Sequence, residues 1–131
     1  MKYWNDIEGS KFFNIVFSTD IEIGEIKLFA LNVDNNLSNL TLAFDIKDLP
    51  DRPPTKWQSI KYNACRIGIT FGDIQYLTVT KIPAKENLTL SINKVDDKYL
   101  ISAISSTSEI TFTASSLRLR DPSVYLTTTP F

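Results

Sequence analysis

Fifteen acidic side chains, fourteen basic ones, a single cysteine and no histidine make up the chemically active inventory of this 131-residue chain. Without histidine there is no Ser-His-Asp triad, no Cys-His dyad, no imidazole metal ligand and no imidazole proton shuttle. A lone cysteine, Cys65, can form neither an intramolecular disulfide nor a cysteine zinc cage. It stands between Ala64 and Arg66 in a strand-like stretch that turns Arg66 to the opposite face. No neighbouring base or cation then activates the thiol, which reads as a small buried hydrophobe. Hydrolysis by two carboxylates needs only that the acids meet in space, as Glu22 and Glu25 could with Asp6. They are not clustered in sequence, and solvated acids on strand ends are the simpler reading. The four glycines, at 9, 24, 68 and 72, are isolated and form no phosphate loop. Arg118 and Arg120 share a face of the last strand, and Lys61-Tyr62 could extend a basic platform. A formal net charge of −1 leaves too little positive charge for a nucleic-acid module. The residues therefore point away from an enzyme and imply no cofactor, metal or nucleic-acid partner.

Charge is distributed unevenly. Residues 1–60 carry nine acids against six bases, and residues 61–131 carry six against eight. Within residues 4–25 the acids Asp6, Glu8, Asp20, Glu22 and Glu25 are opposed only by Lys11. Brought together, these five would form a negative patch that steers a basic partner.

The elements that must position these residues are strands. The chain holds 15 Ile, 13 Thr and 8 Phe, side chains that suit a pleated, half-buried surface. Leu40, Leu42, Phe44 and Ile46 alternate with Thr41, Ala43 and Asp45, a period of two. Strands are expected at 26–33, 39–46, 60–71, 74–80, 87–95, 99–105, 109–114 and 116–120, paired mostly in order. Turn residues Asp34-Asn35-Asn36 and Asp96-Asp97-Lys98 close two hairpins, and Gly72-Asp73 turns the chain into the strand at 74. Ile60 and Tyr62 are out of phase with Ile67, Ile69 and Phe71, which predicts a bulge near Asn63 to Cys65. Ser10 to Phe17 reads either as a short helix capped by Ser10, presenting Phe13, Val16 and Phe17, or as a strand. The expected core includes Leu40, Leu42, Phe44, Ile67, Ile69, Phe71, Leu90, Ile92, Phe112 and Leu119. The expected fold is all-β: an antiparallel meander of about eight strands forming a sandwich or partly closed barrel, with at most one short N-terminal helix. The proline-rich stretch Asp48 to Thr55 is an extended surface connection. Neither half beside it buries enough alone, so residues 1–131 are expected to form a single domain.

The N-terminus has two acids in its first eight residues and no apolar run, unlike a signal peptide. No stretch approaches the ~20 apolar residues of a membrane helix. Sequons at Asn36, Asn39 and Asn87 read as chance matches, and an unpaired cysteine suits a reducing compartment. A cytoplasmic protein without a membrane partner is expected.

Several stretches resemble a known family. They are Tyr3-Trp4-Asn5, then Leu49-Pro50-x-x-Pro53-Pro54-x-x-Trp57 followed by Tyr62-Asn63. Ile67-x-Ile69-x-Phe71-Gly72-Asp73-Ile74-x-x-Leu77 and the tail from Ile110-x-Phe112 to Tyr125 complete the set. The chain resembles the bacterial immunity protein 50 family, the antidotes of polymorphic toxin systems. It departs from the family at Ser18 to Glu25, where a loop with proline and histidine would be expected. The resemblance implies a protein that neutralises a cognate toxin domain by stoichiometric, non-covalent binding. It gives Trp57, Tyr62 and Asn63 structural roles, with Trp57 anchoring the proline loop against the sheet. It identifies no contact residues, so partner binding is assigned to Asp6, Glu8, Asp20, Glu22 and Glu25 on charge alone. The alternative is a small intracellular β-barrel carrying an apolar ligand, which would require a continuous internal cavity of several hundred Å3.

Overall fold

The computed structural model describes all 131 residues. One short helix, α1 (Lys11–Val16), precedes eight strands. These are β1 (Glu25–Asp34), β2 (Asn39–Ile46), β3 (Ala64–Gly72), β4 (Gln75–Val79), β5 (Leu88–Val95), β6 (Lys98–Ile104), β7 (Glu109–Ala114) and β8 (Ser116–Tyr125). Short 3-10 turns lie at Trp4–Asp6 and Thr55–Trp57. The strands form one antiparallel sheet in the order β4-β7-β6-β5-β1-β2-β3-β8, not closed into a barrel. No helix is long and apolar enough to cross a membrane.

Two corners fold this sheet onto itself. At the first, β1 changes partner. Glu25 and Ile26 pair with Thr89 and Leu88 of β5, whereas Lys27 to Asp34 pair with β2 alone. At the second, β3 runs into β4 while β7 runs into β8. Gly72 opposes Ser116 and Gln75 opposes Thr113, so the two strands stay in register as they pass together from one arm to the other. The Ser115 N–H donates to the Gly72 carbonyl at 3.0 Å and holds that corner.

The folded arms meet through their apolar faces. Phe71 of β3 packs edge to face on Phe112 of β7, with ring centroids 4.9 Å apart. All ten expected core residues are buried, within one contiguous cluster of 26. The N-terminal segment adds Trp4, Ile7, Phe13, Val16 and Phe17 to it. Phe13 and Phe17, one turn apart, stack at 4.4 Å, so the apolar spacing of 13, 16 and 17 is that of a helix. Trp4, Phe13, Phe44, Phe71 and Phe112 fill the interior at 1% exposure or less. That is a close-packed core, not the chamber of a ligand carrier.

The expected elements all exist, with local corrections. β2 spans 39–46 as its alternation requires. β4 does not turn back on β3; the Gly72-Asp73 step carries the chain to the other arm, where β4 pairs with β7. β8 likewise pairs with β3, not β7, and continues to Tyr125. β3 begins at Ala64, so Ile60 and Tyr62 are out of phase because they precede the strand. The register shift lies instead between Arg66 and Gly68, against β8. In the β1–β2 turn the Asp34 carboxylate accepts the N–H groups of Asn36 and Leu37, and Ser38 takes the positive φ of 54°. Ser10 stands at the N-cap of α1, but its hydroxyl donates to the Asn5 carbonyl, not to the helix.

The Phe71–Phe112 contact is the cross-arm test of this core. Phe71→Ala or Phe112→Ala should each cost about 3–5 kcal/mol in urea unfolding. The double variant should lose less than the sum by about 0.5–1.5 kcal/mol, the coupling of an aromatic pair.

Candidate functional site

Several acids converge beside the first corner. Residues 19–24 run as an extended segment pinned to the N-terminus. Trp4 N–H donates to the Ile21 carbonyl at 3.0 Å, and Ile23 N–H donates to the Lys2 carbonyl at 2.8 Å. Asn5 clamps the segment from its other end: its Oδ1 accepts Ile21 N–H at 2.7 Å, and its Nδ2 donates to the Thr19 carbonyl at 3.3 Å. Trp4 is itself fixed against Phe44, ring centroids 5.3 Å apart. The segment therefore buries Ile21 and half-buries Ile23, and alternation leaves Asp20 and Glu22 exposed.

An open cleft of about 400 Å3 results, lined by Asp20, Glu22 and Glu25 together with Lys47 and Asp48. Asn87 Nδ2 donates to Glu25 Oε1 at 2.7 Å and orients that carboxylate. Asp48 was not among the expected acids. Its signal is the hairpin itself: antiparallel pairing of β1 with β2 returns the end of β2 to the start of β1. The other two expected acids do not line the cleft. Asp6 is exposed on the first 3-10 turn, and Glu8 pairs with Arg118 of β8 at 3.3 Å, both side chains exposed. Four carboxylates against one lysine suit attraction of a basic surface.

The three residues expected to be structural make the following contacts. Trp57 is buried, and its aromatic partner is Phe12 of α1, edge to face at 5.6 Å. The proline loop is thus tied to the helix as well as to the core. Tyr62 Oη donates to the Pro50 carbonyl at 3.3 Å. Asn63 prolongs the pairing beyond β3: its N–H donates to the Tyr125 carbonyl at 3.1 Å, its Nδ2 to the Thr127 carbonyl at 3.0 Å, and its Oδ1 accepts Thr127 N–H at 2.9 Å. Neither residue forms a bulge.

On the outer face of β2, β3 and β8 lies a polar network that sequence reasoning missed. Arg66 Nε donates to buried Asp45 at 2.8 Å, and Arg66 Nη2 donates to Tyr125 Oη at 2.8 Å. Tyr125 Oη in turn donates to the second oxygen of Asp45. The guanidinium is sandwiched between Phe29, 3.6 Å from its ring centroid, and Tyr125 at 4.5 Å. Burial, and next the hydrogen bond to Asp45, push the Tyr125 phenol up to about 12. On the inner face, burial pushes the Cys65 thiol up to about 12, with Asp45 and Asp48 adding to the shift. A thiol so held is protonated and shielded, consistent with a packing role.

Fold and site together describe a single folded antiparallel sheet with an acid-lined surface cleft at its first corner. Residues 9–125 match the family model described as Immunity protein 50. The match covers most of the chain, which belongs to the immunity protein 50 family. No curated protein and no solved structure matches it.

Removing Arg66 leaves the buried Asp45 carboxylate without a counter-charge, held by the Tyr125 hydroxyl alone. Arg66→Ala should lower stability by about 2–3 kcal/mol in urea unfolding, discounted from the fully buried case because the guanidinium is partly exposed. The Tyr125 proton gives a second test. Its folded pKa lies above that of a free phenol, so its stabilisation is complete below pH 10 and is lost as pH rises toward about 12. In Tyr125→Phe, the loss of stability between those values should be shallower, as read by urea midpoints across the range.

Proposed function

We propose that this protein binds a cognate toxin domain and neutralises it by stoichiometric, non-covalent inhibition inside the producing cell. Membership of the immunity protein 50 family carries this reading. The cleft of Asp20, Glu22, Glu25 and Asp48 supports a contact surface at the β1 corner, with Asp6 and Glu8 as flanking charge. The partner surface that suits it is basic. A toxin that acts on nucleic acid must carry such a surface to hold phosphates. Carboxylates fixed on a rigid segment can occupy it without chemistry and without a cofactor. The filled interior favours this reading over carriage of an apolar ligand.

The test is a titration of the purified toxin domain with this protein, followed by rate measurements. Inhibition should be complete at one equivalent. Exposed charges act mainly by steering encounter, so the Glu22→Gln/Glu25→Gln double variant should associate more slowly and with a flatter salt dependence. Its dissociation should change less, and its stability by under ~0.5 kcal/mol per site. Association unchanged at both low and high salt would remove the cleft from the interface while leaving the inhibition to be explained by another face.

A further inference from the structure

The sheet has four stretches of unpaired strand edge, and three of them are blunted. Along β5 beyond Thr89 the N-terminal segment gives cover: Leu90 N–H donates to the Gly24 carbonyl at 2.8 Å, and the Met1 ammonium donates to the Ile92 carbonyl at 3.2 Å. β8 carries Arg118, Arg120, Asp121 and Pro122, and its edge is met at Leu119, whose N–H donates to the Glu8 carbonyl at 2.8 Å. β4 is only five residues long, and its register shifts between Gln75 and Thr78. Charge, proline, cover, brevity and bulges are the usual devices that stop edges from pairing. The fourth edge is the side of β1 that faces away from β2. β5 occupies it only at Glu25 and Ile26, and no backbone hydrogen bond fills it from Lys27 to Asp34. Between those two charged residues runs Leu28-Phe29-Ala30-Leu31-Asn32-Val33, without a charge or a proline. Phe29 and Val33 are about half exposed, at 51% and 50%.

We propose that this edge pairs antiparallel with the same edge of a second copy, giving a two-fold symmetric dimer. Self-complementarity argues for that occupant. β1 has one irregularity against β2, between Leu28 and Ala30, where Phe29 is the extra residue. Counting Phe29 as the bulge, a two-fold axis at Leu31 sets Ala30 opposite Asn32 of the other copy. Leu28 then lies opposite Val33, and Lys27 opposite Asp34. Each pair lies on one face of the sheet: Lys27, Ala30, Asn32 and Asp34 oppose outward-facing residues of β2, and Leu28, Leu31 and Val33 oppose inward-facing ones. Without the bulge, Lys27 and Asp34 would fall on opposite faces. The register closes an ion pair at each end and places only apolar and amide side chains between them. It also fits in length, since the free edge begins where β5 lets go and ends where the β1–β2 turn begins. The interface is isologous and closes at two subunits.

The experiment uses the purified full chain alone, so it does not depend on the toxin reading. Sedimentation equilibrium should show a monomer–dimer equilibrium. Lys27→Glu, which sets two acids against each other at both ends, should weaken it by about tenfold or more. Asp34→Lys added to Lys27→Glu should restore it. Because Asp34 also caps the β1–β2 turn, a second measurement avoids it. Leu31→Cys places two thiols at the axis and should form a disulfide dimer under mild oxidation far faster than Asn93→Cys, an exposed control; buried Cys65 does not compete. A monomer at every concentration would overturn the proposal. So would a dimer indifferent to Lys27→Glu, or cross-linking no faster than the control.

Discussion

β1 divides its allegiance at one peptide bond. Up to Ile26 it is a neighbour of β5; from Lys27 onward it belongs to β2 alone. That change of partner joins the two arms of the sheet and lets them fold face to face, which brings Phe71 against Phe112. It also determines what lies on either side. On the near side, the chain entering β1 brings Glu22 and Glu25 beside the end of β2, and the acid-lined cleft forms there. On the far side the strand has backbone groups with no protein partner. Cleft and free edge are two outcomes of a single topological switch, held in place by only two residue pairs to β5. The burial around it makes so few pairs sufficient, since Ile26 and Leu88 are both fully buried.

The rest of the molecule keeps that corner rigid. The Asp45–Arg66–Tyr125 network ties three adjacent strands across their outer face, and Asn63 carries the last pairing on to Thr127. The N-terminal segment does the same from the other side through Asn5 and buried Trp4. The proposed contact surface gains from this. Contacts that are fixed before encounter cost less ordering when the partner arrives.

The strands were legible in the sequence wherever one face is buried and the other wet. Leu40 to Ile46 alternate cleanly, and the strand has the bounds that the alternation implies. Legibility failed where a role is set by distant residues. Asp45 occupies the polar phase of β2 and reads as solvated. It is buried because Arg66 and Tyr125 arrive from β3 and β8, strands that adjoin β2 only once the sheet is built. The grouping of the five acids was legible only in part for a similar reason. Charge counted along residues 4–25 ignores the path of the chain, which carries Glu8 away to Arg118. The Ile60–Tyr62 stretch was misread as strand because periodicity cannot register that the turn at Thr55–Trp57 delays the strand to Ala64.

β3 and β4 both wait for strands that are made late. β3 finds one of its two neighbours only in β8, the last strand, and β4 finds its sole neighbour in β7. While the chain emerges from the ribosome, N-terminus first, β3 therefore waits with one flank bare, and the corner that β3 shares with β4 has nothing to close against. The helix and Trp4, made first, join a core that also needs Leu117 and Leu119, made near the end. The core therefore cannot close piecemeal as the chain is made; it closes only once β8 has been synthesised. A chain cut short before β8 lacks a neighbour for β3 and two members of its core, Leu117 and Leu119.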